Sequence, residues 1–338
     1  MKAMILKEFR QMRRDRRTVA LMVGLPIMLL VVFGYAARFD VASIPTAVVG
    51  PNARDMAGQL PEVFTVDLVD PTLGEGEVTT MLRDSEVKVA FVTSQQTVLL
   101  VDGTELFVAQ SALRRVPSGV MPKVLFNPQL DTATVMVPSL IGLIMLFIGT
   151  VITSLGVVRE REQGTLEQLA VMPLRPVDVI VGKIAPYFLV AVIDLAVVTL
   201  AGLWLFNVPF RGSVLLFAAY AMLFLFVVLG LGVAISTVSQ SQGEAIQLAI
   251  MTLLPQIMLS GMIFPLESMA AGVRWIGYLL PLTWFVVGMR GIFLKGTAVS
   301  ALLFPLALLG VMAAVVFGVA MYRFRQDLAP TAQQGGAS

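Results

Sequence analysis

Along the 338 residues, long apolar runs alternate with short polar stretches. Six runs, at about 18–37, 135–158, 184–206, 213–235, 245–264 and 299–321, are almost free of charge. A helix of about 20 such residues rises roughly 30 Å, the depth of a bilayer's hydrocarbon core, so each run predicts a transmembrane helix. A further uncharged stretch, Trp275 to Met289, contains Pro281 and follows the turn at Pro265. It is too short to cross, and a re-entrant hairpin over 265–290 is the expected form.

The segment 38–133 has another pattern. Ile44–Gly50, Phe64–Val69, Val87–Thr93 and Thr97–Val101 are rich in β-branched residues and bounded by Pro, Gly, Asn or Asp, which predicts strands. Glu77–Arg83 between two of them favours helix. Residues 1–17 place Lys7, Arg10, Arg14 and Arg17 on one helical arc, with Ile5, Phe9 and Met12 nearly opposite. Such segregation suits a helix lying along the membrane surface, although a bare topology signal would also need the charge. The expected fold is thus an α-helical polytopic membrane protein. It has an interfacial helix (1–17), a first transmembrane helix (18–37), a small α/β extracytoplasmic domain (38–133), five further helices with a re-entrant hairpin before the last (134–322), and a tail (323–338).

Composition agrees with the pattern: 57% of residues are hydrophobic and 14% charged, against about 25% charged in soluble domains. The chain has neither cysteine nor histidine, which removes disulfides, thiolate metal sites and histidine-based triads. The net charge of +2 says little, but its placement says more. With the N-terminus inside, thirteen Lys and Arg fall on cytoplasmic segments, among them Lys7, Arg17, Arg159, Arg161, Lys183 and Arg323. The short outside segments carry four, namely Arg211, Arg274, Arg290 and Lys295. Basic residues resist transfer, so both termini are expected in the cytoplasm and 38–133 outside.

The polar stretch Arg159-Glu160-Arg161-Glu162-Gln163-Gly164-Thr165-Leu166-Glu167-Gln168-Leu169 ends before Pro173. Thr165 and Gln168 fit a capping box, Gly164 allows a sharp turn before it, and Pro173 stops the helix. A short helix exposing Leu166, Leu169 and Ala170 results, although a wet connecting loop explains the charges equally well. Asp194 lies midway along a span, where it either serves a pathway or sits protonated against a neighbouring helix. Thr252, Gln256 and Ser260 share one helix face and suit either a pathway or helix contact. Gly261, Pro265 and Pro281 shape the hairpin, and Glu267 reads as a wet turn residue or a cap. A phosphate-binding loop is absent: Gly291 and Gly296 have its interval, but Thr297 stands where its lysine belongs.

Residues 160–173, continuing to Gly182-Lys183, resemble the coupling loop of type-two ATP-binding-cassette (ABC) export permeases. Phe126-Asn127-Pro128 resembles that family's aromatic-Asn-Pro junction. Ser260 to Met269, with Pro281-Leu282-Thr283 and Arg290-Gly291, resembles its re-entrant hairpin. The resemblance covers essentially the whole chain, and the large domain after the first span points to the drug-efflux-like branch. It implies a permease of the bacterial plasma membrane with no catalytic residues and no cofactor of its own. ATP and Mg would be bound by a separate cytoplasmic ABC ATPase, docking on a coupling loop at 159–176 through Arg159, Glu160, Arg161, Glu162, Gly164, Thr165, Leu166, Glu167 and Leu169. The other implied partners are a second copy or a close paralogue and the lipid bilayer, with no nucleic acid. A pathway with almost no fixed charge favours drugs, lipids or lipid-linked compounds as cargo. The competing reading is an ATP-linked signalling or mechanical device without transport; an intramembrane enzyme lacks paired aspartates, histidine or a serine dyad.

Overall fold

The computed structural model describes residues 43–163 and 176–328, together with Ile27 and Leu30. The expected interfacial helix, nearly all of the first span, and the end of the tail therefore lie outside the described residues.

The α/β domain is built on a five-stranded mixed sheet. Its strands are β1 (Ile44–Val49), β2 (Phe64–Asp70), β3 (Val89–Val92), β4 (Val98–Asp102) and β5 (Met121–Leu125). Their order is β2-β1-β3-β4-β5, with β1 parallel to β2 and β3, β3 antiparallel to β4, and β4 parallel to β5. Parallel neighbours need crossovers, and helices supply them: α1 (Ala53–Ala57), α2 (Glu75–Arg83) and α3 (Leu106–Leu113). Alternation along each strand divides the core in two. Ile44, Val48, Phe91 and Val101 face α1 and α3, whereas Ala47, Val49, Ala90 and Leu100 face Val78 and Leu82 of α2.

Beyond the sheet, α4 (Thr132–Glu162) begins at Asp131, whose carboxylate accepts from the Ala133 and Thr134 amides. It is followed by α5 (Pro176–Leu205), α6 (Val214–Val238), α7 (Gln242–Leu259), α8 (Ala271–Tyr278), α9 (Pro281–Arg290) and α10 (Val299–Leu328). Among the described residues four helices are long and apolar enough to cross a membrane, and a fifth candidate is α8 with α9 and the π turn Gly291–Lys295, bent by 72°. The apolar windows of α4 and α6 are 56% and 50% buried, those of α5 and α10 only 17% and 22%. The first two are therefore the bundle's centre and the others its rim. At the centre Gly232 sits so close to α4 that a Cβ there would lie 2.7 Å from that of Thr153, which is how small residues let helices approach.

One expected span is shortened. In place of a helix over 245–264, α7 covers Gln242–Leu259 and stops at Ser260. Gly261 then turns with φ of +80°, a left-handed conformation that side chains resist. With Gln242, Glu244, Gln247 and Gln256 in its 18 residues, α7 is not among the helices apolar enough to cross by composition. Three elements were not anticipated, namely α1, α3 and β5.

Candidate functional site

Functional side chains gather at the two ends of α4. At 31 residues it is roughly 46 Å long, more than a hydrocarbon core of about 30 Å, so its last turn clears the apolar layer.

In that last turn the Arg161 guanidinium donates to the carbonyls of Ser236 and Ser239, at 2.8 and 3.0 Å. These are C-terminal carbonyls of α6, where a helix carries partial negative charge. The neighbouring Glu162 accepts from the Gln242 backbone N–H at 3.0 Å and its Nε2 at 2.6 Å. Gln242 is the first residue of α7, where partial positive charge favours a carboxylate. Consecutive residues of opposite sign thus staple both sides of the α6–α7 turn to α4. Arg159 is exposed and Glu160 half-buried on the same turn; Gly164, Thr165, Leu166, Glu167 and Leu169 lie outside the described residues.

Inside the bundle, the Asp194 Oδ2 on α5 is buried without a hydrogen-bond partner among the described residues. On α7, Thr252 bonds back to its own helix at Leu248 O. Gln256 reaches across to α9, where its Oε1 accepts from the Leu282 N–H at 3.2 Å. Ser260 accepts from the Met262 N–H at 3.3 Å. The structure thus brings Gln256 to the start of α9, beside Pro281 at its first position, while Asp194 stands apart on another helix. Pro265 precedes a single 3-10 turn, Leu266–Ser268, whose Glu267 carbonyl accepts from Arg274.

At the domain end, sequence reasoning missed the strongest feature. Lys295 is 6% exposed and Asp102 is fully buried, and they pair at 2.5 Å. Lys295 also donates to Leu82 O at 3.2 Å and Ser85 Oγ at 2.7 Å, so all three ammonium protons are used. Its Nζ stands 5.8 Å from the Phe126 ring centre, within cation–π range. Next to it, Thr297 donates to Arg83 O and the Ala298 N–H to Asp84 Oδ1. The π turn before α10 is therefore bolted to α2 and β4. The Gly291/Gly296 spacing belongs to this turn: Gly296 closes it at φ +61°.

Asn127 makes the joint into α4. Its Nδ2 donates to Gly103 O and Asp131 O, and its Oδ1 accepts from the Asp131 N–H. Close by, Lys88 and Glu105 pair at 2.5 Å with side chains only 14% and 15% exposed. Burial opposes the charge on Glu105, but Lys88, Arg290 and Lys295 together hold its carboxyl down at about 2. Burial likewise works against the Lys88 ammonium, and the carboxylates of Glu105, Glu267 and Asp102 raise its pKa above the ordinary lysine value. Both groups are thus ionised at neutral pH. The only sequence signal for this cluster was a lysine stranded in the apolar run 291–299.

A helix bundle tied at one end to a folded domain and at the other to a charged segment, with its long apolar faces left bare, is the build of a polytopic membrane protein. The chain belongs to the family of ABC-2 family transporter proteins, whose model matches residues 16–322. It is 26% identical to the probable multidrug ABC transporter permease YbhS of Escherichia coli, over 97% of both chains. To the probable multidrug ABC transporter permease YbhR of that organism it is 27% identical, over 96% of this chain and 98% of the relative. The inner membrane transport permease YhhJ of Escherichia coli is 32% identical over 60% of this chain and 54% of its own.

Proposed function

We propose that this chain is the membrane-embedded half of an ATP-driven exporter, moving hydrophobic or amphipathic compounds out of the cytoplasm or the inner leaflet. Two copies, or one with a close paralogue, would pair, and separate ABC ATPase subunits would bind ATP and Mg. The first apolar run and α7 would serve as spans with the four long helices, while α8 and α9 would form a re-entrant hairpin. Both termini would be cytoplasmic and the α/β domain outside. Relatives carrying the multidrug name support the cargo class.

The observation that carries this reading is the staple at Arg161 and Glu162. A push on the charged segment after α4 reaches three helices at once, because Arg161 holds the end of α6 and Glu162 the start of α7. ATP-driven closure of two ATPases beneath a pair of such segments would move those helices together and reopen the pathway outward. Proteoliposomes holding the permease and its ATPase should accumulate a fluorescent amphiphile only when ATP is supplied on the ATPase side. ATP hydrolysis without any solute movement would sink the export reading and leave a mechanical device.

Orientation has its own test. Ser94 and Gln163 are both exposed, and the chain has no cysteine of its own. A cysteine at Ser94 should react with an impermeant thiol reagent in spheroplasts, whereas one at Gln163 should react only after the membrane is opened. The opposite pattern would reverse the proposed topology.

A further inference from the structure

Between the α/β domain and the α8–α9 segment lies a cavity of about 250 Å³, lined by Lys88, Glu105, Glu267, Arg290 and Lys295 on one side and by apolar residues including Tyr278 and Val287 on another. Two of its cations have matched partners in the protein: Lys88 pairs with Glu105 and Lys295 with Asp102. Arg290 and Glu267 are balanced only through the field of the cluster, Arg290 by Glu105, Asp102 and Glu267 and Glu267 by Lys88 and Arg290, with no close ion pair among the described residues. The Arg290 Nη2 donates to Met262 O at 3.0 Å, but its Nε is buried with no partner among the described residues. The Glu267 side chain, half-buried, makes no hydrogen bond or ion pair among the described residues. A guanidinium with a free N–H and a carboxylate with no hydrogen bond among the described residues therefore face one space. The buried Nε costs free energy there unless something supplies the missing acceptor, and the half-buried carboxylate is open to a donor.

The cavity is a little below the range of about 300–1,000 Å³ that encloses whole drug-sized ligands, so it suits a polar head and not an entire molecule. Tyr278, which lines the cavity, is itself 43% exposed, and its chain neighbours Leu279 and Trp275 are 62% and 58% exposed. Trp and Tyr with one wet edge and one apolar face are characteristic of a membrane interface. A chain running along Tyr278 would leave its head among the charges.

We infer that this cavity binds the zwitterionic head of an amphiphile, its negative group on Arg290 and its positive group on Glu267, with the tail lying over Tyr278 and Leu279. As an exit station for cargo the site rests on the export reading; as a head-group site it does not. A membrane phospholipid and a zwitterionic drug-like amphiphile share this chemistry, so both sources enter the test. Full-length protein in uncharged maltoside detergent would be titrated with decyl sulfobetaine, a short-chain phosphatidylcholine, decyl sulfate and decyltrimethylammonium. The readout is tryptophan fluorescence, because Trp284 packs on Tyr278 at 6.0 Å.

At least one zwitterion should bind about tenfold more tightly than either singly charged probe, and binding of the short-chain phosphatidylcholine alone would name the lipid as the source. Glu267→Gln should abolish that preference by weakening the zwitterion to the level of the sulfate. It should leave the fold intact, since the bond from Arg274 goes to the Glu267 backbone carbonyl and the carboxylate makes no hydrogen bond among the described residues. Equal binding of all probes, no binding, or a preference unchanged in Glu267→Gln would overturn the site. The two readings fail separately: ATP-driven transport of a neutral dye without head-group selectivity removes the site and keeps the exporter. Selectivity without transport does the reverse.

Discussion

Lys295→Met should lower the melting temperature of the purified protein by a larger step than any single surface substitution. The change strands Asp102, which is fully buried, without its counter-charge, and it leaves Leu82 O and Ser85 Oγ without their donor. Removing one partner of a buried pair costs about 3–5 kcal/mol, because the remaining charge keeps its desolvation penalty. Asp102→Asn should be similarly harmful at the pair, although its amide oxygen can still accept from Thr104, as Oδ1 does now at 2.9 and 2.7 Å. The double variant should recover much of the loss. With no charge left to strand, the desolvation penalty that dominates each single variant is gone. Strict additivity of the two melting-temperature drops would show that the pair does not act as a unit.

Arg161→Glu should leave assembly intact and disable transport. The substitution removes two hydrogen bonds to the α6 carbonyls and sets a negative charge against a helix C-terminus. Charge-assisted hydrogen bonds are worth about 1.5–3 kcal/mol each. Every 1.4 kcal/mol is about a factor of ten in a conformational equilibrium, so transport should fall at least tenfold while the ATPase still co-purifies. Glu162→Gln, which keeps a hydrogen-bonding group opposite Gln242, should cost roughly threefold or less. Normal transport by Arg161→Glu would show that the staple carries no force.

Much of the fold was legible because each part is repetitive. Long uncharged runs announced α4, α5, α6 and α10, and the strands at 44–49, 64–70, 89–92 and 98–102 fall within two residues of where β-branched runs and turn residues placed them. β5 escaped because Met121-Pro122-Lys123 is an exposed edge, where proline is tolerated and alternation is weak. In α3 the apolar start Leu106-Phe107-Val108 gave no period that separates helix from strand. The early end of α7 depends on one residue's backbone angle at Gly261.

The candidate sites divide in the same way. Arg161 and Glu162 stood out as charges next to an apolar run, yet nothing local tells that their partners are the two sides of the α6–α7 turn. Lys295 and Asp102 are 193 residues apart, and no periodicity joins them. Lys295 stands out in its apolar run, but nothing near it points to Asp102, so only the folded chain shows that each neutralises the other.

That pair also decides how far this protein can be taken apart. The α/β domain occupies a single insertion between the first apolar run and α4, which would make it look exchangeable for the domain of a relative. It is not a free-standing cassette. Excising 43–126 would leave Lys295, Thr297 and the Ala298 amide facing acceptors that have gone, at the root of α10. A chimera would have to carry residues 291–298 along with the domain they were shaped to hold, a graft of two pieces of chain drawn from opposite ends of the sequence.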